Sequence, residues 1–390
     1  MKVSTILYSC MMTGFILGTF SCGSRGRPAV LVNSEGAMFR GGLGRTGVAV
    51  LAGDEGAQAQ LLTEPRQLAW RFSAGSPIHS SPVVAGGLVY FGTIGGSLFA
   101  VDEETGVECW RHRTGGAIES SPAVAGGVLY FGSNDGYVYA LDALTGSLRW
   151  RFRTGHNVAS SPAVAGGMVY CGASDGHLYA LDAATGSERW RFETAGGVVS
   201  SPALADGIVY FGCLHGFFHA LDAASGKLRW RVEVGDAFIS TPAIVDGVLY
   251  VGGQDRRLYA LDAESGVVRW SFLVDTREGW ISSSPAVTGE LVLFGSMDFS
   301  FYALDREEGT LAWEFATDSR AFSSPLVSGS VVCFGSDDGH LYALDAATGD
   351  EIWRFAAESK VSASPVLSGN RLFLACYGGY LYALEERPSL

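Results

Sequence analysis

The sequence has few charged residues and, after its first 25 residues, no long apolar run. Asp, Glu, Lys and Arg together make up 17% of the 390 residues, against about a quarter in an average soluble protein. Because no apolar stretch of 18 residues follows residue 25, a polytopic helical membrane protein is excluded. Intrinsic disorder is excluded as well, since aromatic residues make up 12% of the chain.

Clusters of basic residues are absent too. The chain carries 40 acidic residues against 27 basic ones, a formal net charge of −13. Such a chain repels a phosphate backbone, and binding to one requires a local concentration of Lys and Arg. We therefore expect no nucleic acid among its partners.

The cysteines beyond the N-terminal region form neither a disulfide framework nor a zinc pattern. They lie at different offsets, without any Cys-x-x-Cys or Cys/His spacing. We expect them to be small thiols buried in strands. They are Cys109, Cys171, Cys213, Cys333 and Cys376.

The N-terminus has the pattern of a secretory signal. Lys2 is followed by an apolar run over residues 6–20 and then by small residues. We predict a signal peptide over residues 1–21 and hence an exported protein, periplasmic or associated with the outer membrane, with the cell surface as a further location. Cys22 lies where a bacterial lipoprotein carries its lipid, which predicts lipidation of Cys22. Ordinary cleavage after Ser21 is the alternative.

The chain does contain 53 glycines and an internal repeat. A Ser-Pro or Thr-Pro step returns eight times, at intervals of 40 residues except for one of 43. Eight of the nine tryptophans recur in phase with it, and Trp280 is the ninth. These eight are Trp70, Trp110, Trp150, Trp190, Trp230, Trp270, Trp313 and Trp353.

Each repeat consists of four short strands separated by turns, with no helical periodicity. In the repeat after Trp150, for example, Ser174-Asp175-Gly176 is typical of a tight hairpin turn. Four strands in 40 residues predict one blade, so the fold class is all-β, an eight-bladed β-propeller of four-stranded antiparallel blades. We expect it to be monomeric.

The last repeat stops without a tryptophan strand of its own. We therefore predict that residues 68–72 complete the last blade, with Trp70 beside the strand that contains Tyr382. The predicted organisation is a signal peptide over 1–21, a lead-in over 22–67, the propeller over 68–386 and a tail over 387–390.

The segment Ala-Leu-Asp-Ala-Leu-Thr-Gly-Ser-Leu-Arg-Trp at residues 140–150 resembles the tryptophan-docking motif of the quinoprotein-type propeller family. The same Asp-to-Trp spacing occurs in seven repeats, and Glu385 takes the eighth place. Residues 38–41 and 45–47 resemble the lead-in found before such propellers. We expect the Trp and Asp of this motif to be structural: the ring packs between blades, and the carboxylate accepts N–H groups of its own turn.

Some members of this family are alcohol or sugar dehydrogenases that hold pyrroloquinoline quinone (PQQ) and calcium over the channel. For such an enzyme the resemblance implies adjacent cysteines in a ring disulfide, carboxylate and amide calcium ligands, and an Asp base. The chain has no Cys-Cys pair, and its loops are nearly all minimal. We predict no catalytic, cofactor-binding or metal-binding residue, with a PQQ-dependent dehydrogenase using calcium as the alternative.

One position per repeat, two residues before the Ser or Thr of the Pro step, is expected to face the channel. Its occupants do not suggest a metal site or an acid–base pair, even with His156 from the adjoining turn. They are His79, Glu119, Ala159, Val199, Ile239, Ser282, Phe322 and Ser362. Elsewhere His215 and His219 have the i,i+4 spacing of a helical zinc motif, but they straddle a hairpin turn at Gly216, so that helical geometry is not expected.

Departures from the repeat are concentrated in repeats four to six. A three-residue insertion lies within residues 275–280, and the usual Asp-Gly turn is altered by Leu214-His215, by Arg256 and by Phe299. An exposed tryptophan among charges is typical of interface hot spots. We predict that these residues form a partner-binding patch on one face; drift in unconstrained loops is the alternative. The candidates are His215, Arg256, Asp275, Arg277, Glu278, Trp280 and Phe299.

An exported, lipid-anchored propeller without a catalytic set also resembles the lipoprotein scaffolds of the β-barrel assembly machinery. The resemblance lies in fold, anchor and loop location, not in binding residues. It implies a non-catalytic protein-interaction scaffold whose partner is an outer-membrane assembly component. A sensor that binds a small ligand in the channel stays a further alternative, because fold alone does not fix function.

Overall fold

The computed structural model describes residues 62–386. The predictions on the signal peptide over 1–21, on Cys22, on the lead-in as far as residue 61 and on the tail over 387–390 lie outside the described residues. Among residues 62–386, no helix is long and apolar enough to cross a membrane.

Residues 62–386 form thirty-two strands. In chain order they are β1 Arg66–Ser73, β2 Val83–Ala85, β3 Leu88–Gly92, β4 Ser97–Asp102, β5 Glu108–Arg113, β6 Ala123–Ala125, β7 Val128–Ser133, β8 Tyr137–Asp142, β9 Leu148–Arg153, β10 Ala163–Ala165, β11 Met168–Gly172, β12 His177–Asp182, β13 Glu188–Glu193, β14 Ala203–Ala205, β15 Ile208–Gly212, β16 Phe217–Asp222, β17 Leu228–Glu233, β18 Ala243–Val245, β19 Val248–Gly252, β20 Arg257–Asp262, β21 Val268–Leu273, β22 Ala286–Val287, β23 Leu291–Gly295, β24 Ser300–Asp305, β25 Leu311–Ala316, β26 Leu326–Ser328, β27 Val331–Gly335, β28 His340–Asp345, β29 Glu351–Ala356, β30 Val366–Ser368, β31 Arg371–Ala375 and β32 Tyr380–Glu386.

These strands form eight antiparallel sheets of four, which confirms the predicted eight-bladed propeller. Within each blade we call the strands a to d, from the innermost to the outermost. In blades one to seven the order follows the chain, as in β2-β3-β4-β5, whereas blade eight is β30-β31-β32-β1. The innermost strands of blades one to six contact one another in succession, and β2 contacts β30. Hydrogen bonds from Ser284 to Ser324 and from Ser324 to Ser364 join blades six, seven and eight, so the ring is closed.

The closing strand is the one expected from the sequence. Strand β1 pairs with β32, with Trp70 opposite Ala383 and Arg71 opposite Tyr382. It is longer than the predicted residues 68–72, because Arg66 at its start also pairs, with Glu386. The first and last strands of the propeller therefore complete one blade.

Blades are joined at their rims by the recurring tryptophan. The Nε1–H of Trp150 donates to Ala183 O of the next blade at 3.0 Å, and the hydroxyl of Tyr130 donates to the same carbonyl at 3.1 Å. A β-bulge one residue before each tryptophan shifts the register there, as between Leu148 and Trp150. Such a bulge re-aims the side chain that follows it. The tryptophan consequently points into the neighbouring blade.

The carboxylate of the motif organises its own turn. Oδ1 of Asp182 accepts the N–H of Thr185 at 2.9 Å, while Arg189 donates to Oδ2 at 2.6 Å. The guanidinium of Arg189, followed by the N–H and hydroxyl of Thr185, lowers the pKa of Asp182 to about 2. Each such turn presents a backbone carbonyl to the tryptophan of the preceding blade.

The eighth junction uses a residue that the sequence argument placed outside the propeller. The Nε1–H of Trp353 donates to Leu62 O at 2.8 Å, and Leu62 is fully buried. In blade eight strands c and d are β32 and β1, which no c–d turn connects, and the backbone before β1 supplies the acceptor instead.

The Ser-Pro steps form a second ring around the channel. In seven of the eight steps the backbone N–H of the Ser or Thr before the proline donates to the hydroxyl of the matching residue in the next blade. These bonds are 2.9 to 3.1 Å long, and one of them, from Ser364 N–H to Ser81 Oγ, joins blade eight to blade one. Repetition of the dipeptide is thus explained by contacts between blades.

Four of the five cysteines match the expectation of buried free thiols. They are Cys171, Cys213, Cys333 and Cys376. Cys109 is different: it lies in the outer strand β5 and is disulfide-bonded. The expectation of a buried thiol is therefore wrong at Cys109.

Candidate partner-binding face

The turns of each blade are divided between the two faces of the ring. On one face, which we call the front face, the b–c turns meet the d–a connections between blades, as in the bond from Thr114 N to Gly96 O. On the opposite, back face the a–b and c–d turns meet, as in the bond from Glu103 N to Gly87 O. All seven candidate partner-binding residues lie in b–c turns or d–a connections and hence on the front face.

In a regular blade the front-face turn is held by its aspartate. Asp175 accepts the N–H of Gly155 at 2.6 Å and the hydroxyl of Tyr179 at 2.7 Å. Burial, and then the carboxylate of Asp175, raise the pKa of Tyr179, which keeps the hydroxyl protonated as a donor. Gly176 completes the turn at φ +86°. This arrangement ties each b–c turn to the preceding d–a connection.

The three-residue insertion lies in the d–a connection before blade six and is held between two b–c turns. We call residues 275–280 the Trp280 loop. The guanidinium of Arg256 donates to Thr276 O at 3.0 Å, and the hydroxyl of Thr276 donates to Asp298 at 3.2 Å. On the far side Met297 N donates to Trp280 O at 3.0 Å. The loop is therefore held by the irregular turns on both sides of it.

Two of the altered turn residues adopt a backbone conformation that favours glycine. Arg256 has φ +71° and Phe299 has φ +75°, at the position of Gly176 in blade three. For a side-chain-bearing residue this conformation costs about 1 to 2 kcal/mol. The side chain of Arg256 offsets part of the cost by holding the Trp280 loop. Phe299 is 41% exposed and Trp280 46% exposed, so neither ring is covered by the chain.

The other four candidate residues lie on the same face as Arg256, Trp280 and Phe299. Asp275, Arg277 and Glu278 are exposed on the Trp280 loop. His215 is exposed in the turn of blade four, beside exposed Leu214, and its ring lies against Gly196. Trp280, Arg256 and Phe299 are thus brought together, whereas His215 belongs to the turn one blade before that of Arg256.

The eight expected channel positions are all half-buried. His79 lies against Phe322, with ring centroids 5.8 Å apart, and no hydrogen bond links it to Glu119 or His156. Ser362 instead donates to Asp337 at 3.0 Å, and Lys360 pairs with the same carboxylate at 3.5 Å.

A site for PQQ with calcium would have to supply most of the six to eight oxygen ligands that Ca²⁺ requires. Among the eight channel positions only Glu119 carries a carboxylate, and no group of three or more His, Cys, Asp or Glu in residues 62–386 could hold a metal ion. The described residues therefore do not fit this cofactor pair.

Taken together, the four-stranded blades, the tryptophan junctions between blades and the ring closure define a β-propeller built from quinoprotein-type repeats. A family profile described as outer membrane protein assembly factor BamB matches residues 32–120, 95–213, 193–296 and 275–387. The chain belongs to this BamB family.

Solved structures with the same fold include a BamB protein and two dehydrogenases. BamB from Moraxella catarrhalis is 20% identical with a TM-score of 0.71, and the match covers 82% of this chain and 100% of that one. A europium-containing methanol dehydrogenase is 14% identical with a TM-score of 0.76, covering 91% and 99%. The quinohemoprotein alcohol dehydrogenase from Comamonas testosteroni is 16% identical with a TM-score of 0.77, covering 93% and 82%. At these identities the likeness shows the fold alone. No curated protein sequence matches the chain.

Proposed function

We propose that the protein is an exported, non-catalytic scaffold that binds another protein through the front face of blades four to six. Within the BamB family, we take the partner to be a component that assembles outer-membrane β-barrel proteins. The proposal includes a signal peptide over 1–21 and a lipid anchor on Cys22, and the scaffold acts without PQQ or calcium.

The observation that carries the proposal is the clamped Trp280 loop. The insertion and Arg256 both depart from the repeat, and Asp298 directly precedes a third departure at Phe299. Thr276 of the insertion nevertheless bonds to both Arg256 and Asp298. Unconstrained drift would not be expected to place a strained arginine where its guanidinium holds the inserted loop. A rigid loop loses little conformational entropy on binding, which favours affinity.

The chemistry of the patch favours a protein partner. Trp280 and Phe299 present two uncovered aromatic rings, and Asp275, Arg277 and Glu278 supply a charged rim. Aromatic anchors with a polar surround are the usual composition of a binding hot spot. We expect a contact of standard size, centred on Trp280.

Site-specific photo-crosslinking in native membranes tests this function. A photoreactive amino acid at position 280 or 299 should capture a barrel-assembly component, identified by mass spectrometry. The matched control is position 144, because Leu144 is 74% exposed but lies on the back face in a c–d turn. Equal capture from positions 280 and 144, or capture of no assembly component, would contradict the proposal.

Reconstitution tests the enzymatic alternative separately. The purified protein is mixed with PQQ and calcium and then offered an alcohol and a redox dye. We expect neither the absorbance of bound quinone nor reduction of the dye. A bound quinone that turns over would refute the non-catalytic part of the proposal and leave the patch to be judged by crosslinking.

A further inference from the structure

The front-face hairpins bring residues i and i+4 together. In five blades the tyrosine of strand c donates its hydroxyl to the turn aspartate four residues earlier. The pairs are Asp135–Tyr139, Asp175–Tyr179, Asp255–Tyr259, Asp298–Tyr302 and Asp338–Tyr342. An i,i+4 pair, the spacing of His215 and His219, therefore converges here without a helix.

Blade four replaces both members of this pair with histidine. The ring of His219 stacks on Phe211 at 5.0 Å with an interplanar angle of 11°. Tyr139 stacks on Phe131 in the same way, at 5.1 Å and 7°, and both pairs lie opposite each other in the strand register. The imidazole of His219 thus occupies the place of the tyrosine ring.

His219 carries a buried nitrogen without a partner. The residue is 3% exposed, and its Nδ1 has no hydrogen-bond partner. Burial, with a smaller contribution from Arg231, lowers the pKa of His219 to about 4, so the imidazole is neutral near pH 7. The guanidinium of Arg231 lies over the ring of Phe217, 5.4 Å from its centroid. A neutral imidazole nitrogen is a good ligand for transition metals.

His215 takes the position of the turn aspartate. Its Nδ1 lies so close to Gly196 that no side chain would fit there, which fixes the imidazole over the preceding d–a connection. An imidazole ends short of the point that a tyrosine hydroxyl reaches. Because the two histidines replace the aspartate and the tyrosine that bond across this hairpin in the other blades, we expect their imidazoles to lie on the same side of the turn and close to each other.

We propose that His215 and His219 form a two-histidine site for one divalent transition-metal cation, such as zinc, nickel or copper, on the front face of blade four. Imidazole suits these metals. Because residues 62–386 contain no group of three or more such ligands, water completes the coordination. The inference does not depend on the proposed scaffold function.

Titration of the purified chain with Zn²⁺ and Cu²⁺ alone tests the site. The key variant is H215D/H219Y, which restores the Asp–Tyr pair of the other blades and so keeps the hairpin. We expect one equivalent to bind the native chain, and at least tenfold weaker binding to the double variant. The Cu²⁺ electron paramagnetic resonance spectrum should show coupling to two imidazole nitrogens in the native chain and to one in His215→Asn.

Two controls keep the result interpretable. His340→Asn removes a histidine of blade seven that pairs with Asp338 and should leave the affinity unchanged. His215→Asn changes an exposed residue, so it tests the site even if the double variant misfolds. Equal binding by the native chain and H215D/H219Y, or coupling to a single imidazole in the native chain, would overturn the two-histidine site.

Discussion

At the scale of single residues, each blade junction depends on a tryptophan ring packed directly against a glycine of the next blade. A Cβ added to Gly146 would lie 2.6 Å from the ring of Trp110, and Gly146 has φ +71°. The glycine is therefore required twice, for its backbone conformation and for the close approach of the indole. Gly126 also has a positive φ, +55°, but nothing lies within 4 Å of an added Cβ.

This contrast gives the first prediction. Gly126→Ala should lower the free energy of unfolding by about 1 kcal/mol, through backbone strain alone. Gly146→Ala should cost about 1 to 3 kcal/mol more, because the methyl group overlaps the indole. Urea denaturation followed by tryptophan fluorescence measures both. Equal costs for the two variants would show that the Trp–Gly contact does not stabilise the junction.

Phe299 gives a prediction of opposite sign. Phe299→Gly removes a strained backbone and an exposed ring, so the free energy of unfolding should rise by about 1 kcal/mol. The matched reverse change in blade three, Gly176→Phe, should lower it by a similar amount. Thermal denaturation of both variants is the measurement. A loss of stability in Phe299→Gly would mean that its ring packs usefully within the chain.

At the scale of structural elements, the c–d turns depend on ionised aspartates. Asp182, Asp222 and Asp262 have pKa values lowered to about 2. Arg189 is the largest cause for Asp182, the Ser225 hydroxyl for Asp222 and Arg269 for Asp262. An unfolded aspartate has a pKa of about 3.9, so the unfolded chain binds these protons more readily.

The pH dependence of stability follows from the direction of these pKa shifts. The contribution of these turns is complete above about pH 4 and is lost as the pH falls toward about 2. The thermal midpoint should therefore drop steeply over this interval. In the variant D182N/D222N/D262N the drop should be smaller, because amides do not titrate there. The groups are exposed, so added salt should weaken the effect. An identical pH profile in the variant would contradict this account.

The Trp280 loop is an element held by its neighbours. Arg256→Gly relieves the positive φ but removes the bond to Thr276 O, so global stability should change by less than about 1 kcal/mol. Exchange of the backbone amides of residues 275–280 should nevertheless become faster. Hydrogen–deuterium exchange with mass spectrometry measures this. Unchanged exchange would show that Arg256 does not hold the loop.

At the scale of the whole molecule, stability requires the ring to close. Strand β1 supplies the outer edge of blade eight, and Leu62 accepts the bond from Trp353. A chain beginning at residue 62 retains both, whereas one beginning at residue 75 lacks both and exposes the edge of β32. Exposed strand edges promote aggregation.

We therefore expect the chain from residue 62 to be monomeric, with one cooperative unfolding transition. The chain from residue 75 should aggregate or unfold at a much lower temperature. Gel filtration and calorimetry distinguish the two. A folded monomer of unchanged thermal midpoint from residue 75 would show that the last blade is stable with three strands.

The ring also explains why the chain has so little charge and so many turns. Strands b and c of the blades are buried between neighbours along almost their whole length, as in β7 and β8. Charged side chains are therefore largely confined to the outer strands and turns. One closed ring, not several domains, accounts for the length of the chain.

The sequence by itself determined the number of blades, the strands of each and the closing strand, because a 40-residue repeat carries its own strand and turn pattern. It also identified Arg256, Trp280 and Phe299 as departures from the repeat, since such departures are visible without a structure. Tertiary structure alone decided the role of Leu62, the circle of Ser-Pro hydroxyl bonds, the disulfide state of Cys109 and the clamp around Thr276. Each of these depends on contacts between residues of different blades or distant parts of the chain, and repeat spacing does not encode which side chains meet across a junction.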